Sequence, residues 1–284
     1  MTQIRQIGFE QAGFGPLSAG VAREQRGALR RRLADDRQQA AARADPFAPA
    51  LGERGHGAAV WLCDIIFDSN GTILPPEGYL EYTARAIRAA GGVFIADEVQ
   101  SGFYRTGDEM WAFRYADVVP DIVTLGKPIG DGHPIGAVIT TAAIAAKFAA
   151  KFSYFNTFGG NPVSAAVGMA VLDVLEREGV QRNVIAAGKV LASGLARLAA
   201  KHPLVADVRG KGLFWGLEIV RDHATRAPAV EEADRIMNLL REDGILVART
   251  GAFNNVVKIR PPLVFTPDNA RMLLEGLDRA LARV

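Results

Sequence analysis

The chain has 284 residues, of which 49% are hydrophobic and 23% charged, the composition of a folded protein with one large or two modest domains and not of a solvated tail. A formal net charge of +2, one cysteine (Cys63) and four scattered histidines argue against a nucleic-acid surface, an internal disulfide and a metal-ligand spacing. No apolar run approaches the roughly 18 to 20 residues of a bilayer span, and the opening MTQIRQIGFEQAGF has no secretory apolar stretch, so a cytoplasmic protein without membrane or nucleic-acid partners is expected.

Residues 1–56 hold nine arginines against six acidic residues and few large apolar side chains, and are read as a poorly anchored arm. From Gly57 the texture changes. AAVWLCDIIF reads as a buried strand, PPEGYLEYTARAIRAAGG as a helix opened by Pro76 and closed at Gly91 and Gly92, and VFIADE as a second buried strand. PDIVTLGK and GAVITT are neighbouring strand candidates, with a short helix near TAAIAAKFAA. NTFGGNPVSAAVGMAVLDVLEREG carries a turn and a long helix, capped by Asn161 with Pro162 in its first position.

Beyond it follow a helix (VIAAGKVLASGLARLAAKH), hairpin-like strands (VADVRGKGLFWGLEIV) and a helix (VEEADRIMNLLREDG). Strands ILVART and NVVKIRPPLVF and a last helix (PDNARMLLEGLDRALARV) complete the order. The alternation indicates α/β architecture with a largely parallel sheet. The expected divisions are 1–56, an arm; 57–165, part of a large domain; and 166–284, a smaller C-terminal α/β domain.

Two residues carry chemistry by position. Asp97 ends the apolar run Val93 to Ala96, and Lys127 stands just beyond Ile122 to Leu125, so both fall at strand carboxyl ends, where open α/β sheets gather ligands. Asp97–Glu98 alone reads more readily as a solvated acidic pair beginning a loop. Lys127 changes the balance, because it is the first of only seven lysines and precedes the glycine-rich loop PIGDGHPIG. A lysine able to form a Schiff base and a carboxylate able to keep a pyridine nitrogen protonated are what pyridoxal phosphate requires. The turn NTFGGNP offers the hydroxyl of Thr157, loop amides and a helix start for an anion. GDGHPIG and GKGLFWG miss the spacing of a dinucleotide loop. Thr124, three residues before the lysine, should lie within a strand, and His133 reads as structural.

GGVFIADEVQSGFYRTG, PDIVTLGKPIGDGHPIGAVITT and YFNTFGGNPVSAAVGMAVLDVLE together resemble the class III pyridoxal-phosphate-dependent aminotransferases of fold type I. The stretches ILPPEGYLEYTARAIRAAGGVFIADEVQ and KIRPPLVF are nearest to the subgroup of ethanolamine-phosphate phospho-lyase and alanine-glyoxylate aminotransferase relatives. The resemblance implies that Lys127 bonds to the cofactor aldehyde and moves a proton at the substrate's alpha carbon, and that Asp97 pairs with the pyridine nitrogen. It also implies that Gln100 lies near the ring hydroxyl and that Thr157 contacts the phosphate of a neighbouring subunit's cofactor, hence a homodimer with shared sites.

Where most members carry the arginine that binds a substrate carboxylate, this chain has Lys258, as the phospho-lyase subgroup does; Arg260 lies nearby but is not given that role. The family's upstream segment, with its phosphate-binding turn and ring-stacking aromatic, is not recognisable in residues 1–56. The expected function is transfer of an amino group from an amine or amino acid to a 2-oxo acid. The alternatives are elimination of phosphate from a phosphorylated amino alcohol, or an inactive shortened homologue serving as a binding subunit.

Overall fold

A computed structural model describes residues 57–284; the arm expected over 1–56 lies outside the described residues. The first sheet has the order β1-β2-β3-β4. Strands β1 (Val60–Asp64), β2 (Val93–Asp97) and β3 (Ile122–Leu125) are parallel, and β4 (Ala137–Thr140) returns antiparallel to β3. Helix α1 (Tyr79–Ala89) makes the crossover from β1 to β2. Its start differs slightly from expectation. Pro76 sits in a preceding turn whose carbonyl accepts from the Tyr79 amide, and Gly78 at φ 77° is the cap. Its end follows expectation: the amides of Gly91 and Gly92 donate to the carbonyls of Arg88 and Ile87, closing the last turn with Gly91 at φ 84°. Leu80, Ala84 and Ile87 of α1 pack with Phe94 and Ala96 of β2 into the core beneath this sheet.

Two helices follow β4. The shorter, α2 (Ala142–Ala149), is capped by Thr141, and α3 (Pro162–Arg177) is capped by Asn161, whose side-chain oxygen accepts from the Ser164 amide at 2.9 Å. Neither buries a residue in this chain.

The second sheet is antiparallel, ordered β5-β6-β9-β8, from β5 (Val205–Lys211), β6 (Phe214–Asp222), β8 (Ala248–Thr250) and β9 (Val256–Ile259). The short β7 (Ala227–Pro228), not expected from the sequence, pairs with β6. Helices α4 (Val180–Lys201), α5 (Val230–Glu242) and α6 (Pro267–Leu281) cover this sheet. Along α4, Val184, Ala187, Leu191, Leu195 and Leu198 recur at helical spacing and face the core.

Contrary to the expectation that no such run exists, α4 is long and apolar enough to cross a bilayer. Its apolar stripe is occupied instead by packing on the second sheet and on α6, with Ala270, Leu273, Leu274 and Leu277 in the same core. GKGLFWG is the β5–β6 hairpin. Gly212 turns at φ 57°, and a Cβ there would come within 2.5 Å of the Thr106 carbonyl carbon, so the hairpin tip presses directly on the loop that leaves β2.

Candidate active site

The register of the first sheet lines up the site. Asp64 pairs with Asp97, and Asp97 with Thr124, so three polar side chains form a row across the carboxyl ends of the parallel strands. The adjacent acids of β2 part ways because successive strand residues point to opposite faces. Glu98 is fully buried: its carboxylate accepts from the amides of Ala112 (3.0 Å) and Phe113 (2.8 Å) and from the Ser101 hydroxyl (2.8 Å), and so folds the loop 99–111 back on the sheet. Burial pushes its pKa up, against the lowering effect of those donors. Asp97 stays half-buried. Its Oδ1 accepts from the Val99 amide at 3.0 Å and from Thr124 Oγ1 at 3.3 Å. Thr124 thus lies within β3, as expected, and orients the carboxylate.

Lys127 follows β3 immediately and is exposed, at φ 40°, a left-handed conformation rare for a side-chain-bearing residue. Gly126 before it packs against the Val99 side chain, bringing the ends of β2 and β3 together. Among the described residues neither Asp97 Oδ2 nor Lys127 Nζ is held by a protein partner. An acceptor and an amine, not neutralising each other, stand at the ends of adjacent parallel strands. This donor set fits pyridoxal phosphate, with Asp97 for the ring N–H and Lys127 for the aldehyde.

Gln100, just after the β2 turn, has both ends of its amide engaged: Nε2 donates to Asp68 Oδ2 at 2.5 Å, and Oε1 accepts from Arg260. Asp68 also receives Lys258 Nζ at 2.6 Å on the same oxygen. Sequence reasoning missed both Asp68 and Asp64. Asp64 had the same signal as Asp97, an acid ending an apolar run. Its carboxylate accepts from the amides of Ile66 and Asp68, and burial is the largest cause of its raised pKa. Cys63, beside it, is an inert thiol whose pKa is pushed up by burial and then by the charges of Asp64, Asp97 and Glu98.

Thr157 is exposed in the turn before α3. Some of the turn amides expected to receive an anion are already used: those of Phe158 and Gly159 donate to Asn156 Oδ1. His133, in the loop after Lys127, meets Ser164 Oγ on α3 at 2.9 Å and ties the turn's helix to the lysine loop.

The family model for class III aminotransferases matches residues 13–281. The chain belongs to the class III aminotransferase family. The match extends upstream of Gly57 into residues outside the described part. The chain is 46% identical over 233 residues to alanine–glyoxylate aminotransferase 2 homolog 2 of Arabidopsis thaliana, covering 82% of this chain and 48% of that protein. It is 39% identical over 228 residues to ethanolamine-phosphate phospho-lyase homolog 1 of Caenorhabditis elegans, covering 79% and 49% respectively. It thus spans about half the length of the curated relatives it matches.

Among solved structures, a phospholyase from Arthrobacter in complex with phosphoethanolamine superposes with a TM-score of 0.82 at 40% identity, over 96% of this chain and 61% of that one. An aminotransferase from Bacillus anthracis superposes with a TM-score of 0.78 at 29% identity, over 84% of this chain and 56% of that one. The fold is the α/β fold of the pyridoxal-phosphate-dependent transferases.

Proposed function

We propose that the chain serves a pyridoxal-phosphate-dependent transaminase that moves an amino group from an amine or amino acid to a 2-oxo acid. The observation that carries this reading is the placement of Asp97 and Lys127 at the carboxyl ends of adjacent parallel strands, each free of a neutralising partner among the described residues. Bound pyridoxal phosphate supplies an aldehyde and an electron-accepting ring. Asp97 Oδ2 would hold the ring N–H, and Thr124, by its hydrogen bond to Oδ1, would keep the carboxylate turned toward it. Lys127 Nζ would hold the cofactor through its aldehyde carbon, with the carbonyl oxygen leaving as water, and the amine would stand where it could move a proton at the substrate's alpha carbon.

A homodimer belongs to the same reading. Phe152, Tyr154, Phe155, Phe158, Val163 and Met169 are all exposed along one continuous segment, an apolar surface of the kind subunits cover. Thr157 lies within it and would reach a second subunit's cofactor phosphate. A cytoplasmic location is part of the same proposal.

The test is to purify the chain with pyridoxal phosphate, reduce with borohydride and map the adduct by mass spectrometry. An adduct on Lys127 that disappears in Lys127→Ala supports the reading. Its absence favours a binding subunit without chemistry of its own.

Phosphate elimination from a phosphorylated amino alcohol is the second reading. It is favoured by lysine at position 258 and by the similarity to the Arthrobacter phospholyase. Release of phosphate and ammonia from O-phosphoethanolamine, with no amino group passed to an oxo acid, decides for it.

A further inference from the structure

Asp64 and Asp97 stand directly opposite each other in the parallel pairing of β1 and β2, and both lie on the face of the sheet that carries Thr124. Neighbouring strands run about 4.8 Å apart, so two ionised carboxylates in this register, partly out of water, repel each other. No cation is paired with either among the described residues. Asp64 accepts from the amides of Ile66 at 3.3 Å and Asp68 at 2.9 Å, and Asp97 accepts from the Val99 amide and the Thr124 hydroxyl. The charges that act on Asp64 are those of Asp68 in the following turn and Asp97 on β2, and Asp64 in turn acts on the buried Glu98. Lys258, the ammonium that β9 brings in, is paired with Asp68.

The turn after β1 does not need this charge. Asp64 caps it through two amides, a task that the neutral carbonyl of an asparagine also performs. The ionised form is held there at a cost: burial, and after it the charges of Asp68 and Asp97, push the Asp64 pKa up against the lowering effect of the two amides. A local conflict of this kind belongs to functional sites, where the missing counter-charge comes with a ligand. Asp97 Oδ2 is the atom of the pair left open to one. A protonated ring nitrogen at that oxygen would feel both carboxylates, and the second, one strand away, would add to the attraction without touching the ring.

Resting on the reading of this site as pyridoxal-phosphate chemistry, we propose that Asp64 is a positioning residue for the charge of the cofactor ring: acting through Asp97, it strengthens the hold on a protonated ring nitrogen, and that cation relieves a repulsion built into the unliganded sheet. Protonation of this nitrogen is what lets the ring accept electrons, so Asp64 serves the reaction from a distance.

Two measurements on the full chain test this. The first is the melting temperature at pH 8 without cofactor. Asp64→Asn keeps an acceptor for the Asp68 amide, and Asp97→Asn keeps Oδ1 for both of its donors. Each is expected to melt about 2–4 °C higher than the native chain, and the double variant less than the sum of the two rises. Asp97→Asn carries this arm should Asp64→Asn not fold. A fall in either variant, or rises that add in full, overturns the proposal. This readout needs no cofactor, so higher melting in the variants, with no pyridoxal phosphate bound by the native chain, would sink the cofactor reading and keep the repulsive pair.

The second is calorimetric affinity for pyridoxal phosphate and for its analogue with a ring C–H in place of the nitrogen. The two share the aldehyde and the phosphate and differ in the charge that Asp64 is argued to favour. Asp64→Asn is expected to weaken pyridoxal phosphate about tenfold and to leave the analogue within about twofold of the native value. Asp64→Glu, which keeps the charge, is expected to recover pyridoxal-phosphate affinity to within about threefold. Equal weakening of both ligands in Asp64→Asn would reduce Asp64 to a cap of its turn and overturns the proposal. So does undiminished pyridoxal-phosphate affinity in Asp64→Asn, or an Asp64→Glu variant as weak as Asp64→Asn.

Discussion

Thr124 stands directly opposite Asp97 in the parallel pairing of β2 and β3, and its hydroxyl donates to Asp97 Oδ1 at 3.3 Å. With the Val99 amide on the same oxygen, the contact leaves Oδ2 as the face of the carboxylate offered to a ligand. Thr124→Val keeps the strand-favouring shape and removes the donor. A long hydrogen bond to a charged acceptor is worth about 1 kcal/mol, so the expected loss of pyridoxal-phosphate affinity is about fivefold. Asp97→Asn should cost far more, since the charge opposite the ring N–H goes. Titration of the cofactor by absorbance checks both, and equal losses in the two variants would contradict the orienting role of Thr124.

Glu98 gives a pH prediction. Burial raises its pKa in the folded protein above the ordinary glutamate value of 4.5. A raised carboxyl favours the folded state when protonated: its stabilising contribution is full below the unfolded value and is lost as pH rises through the folded value. Glu98→Gln, which mimics the neutral acid, should therefore flatten the stability-against-pH profile on the alkaline side of pH 4.5. Glu98→Ala leaves the Ala112 and Phe113 amides without their acceptor and should cost about 2–4 kcal/mol. Urea midpoints from pH 4 to 8 read both effects.

Asp97 and Lys127 were legible because each ends an apolar run, and a strand's end in an α/β sheet is a position with chemical meaning. The same logic applied to Asp64, whose run VWLCD ends in register with β2. Asp68 carried no such mark. It sits in a short turn, and its ionic partner is 190 residues away on β9, so only the folded chain brings the charges together. The helix α4 shows the converse failure. Its mean hydropathy reaches that of a bilayer span without any unbroken apolar run, since Lys189 and Arg197 interrupt it, and Ala187 and Gly188 let it lie close to the β5–β6 hairpin while its leucines fill the core. The antiparallel return of β4 follows from a loop after Lys127 too short to hold a crossover helix.

Gly212 joins the second sheet to the loop that carries Arg105. The Leu213 amide donates to the Arg105 carbonyl at 3.0 Å, and a Cβ on Gly212 would meet that carbonyl oxygen at 2.7 Å. Gly212→Ala combines backbone strain at φ 57° with a clash against main chain that cannot rotate away. A loss of about 2–4 kcal/mol is expected. Thermal melts check it; an unchanged melting temperature would show that the hairpin tip accommodates a side chain without cost.

His133 meets Ser164 Oγ at 2.9 Å, and Asn161 Nδ2 donates to the same oxygen at 2.9 Å. Ser164 is thus the point where the loop after Lys127 and the turn bearing Thr157 are joined. If that joint holds the turn in place, losing it should loosen residues 156–161 without unfolding either core, because α3 buries no residue of its own. His133→Ala should cost about 1 kcal/mol in global stability yet speed amide exchange across the turn several-fold. Asn161→Ala should cost a similar amount by losing the cap, but with faster exchange confined to the first turn of α3. Hydrogen exchange by mass spectrometry separates the two patterns. Unchanged exchange at Phe158 and Gly159 in His133→Ala would mean that Asn156 alone, through its side-chain oxygen, holds the turn.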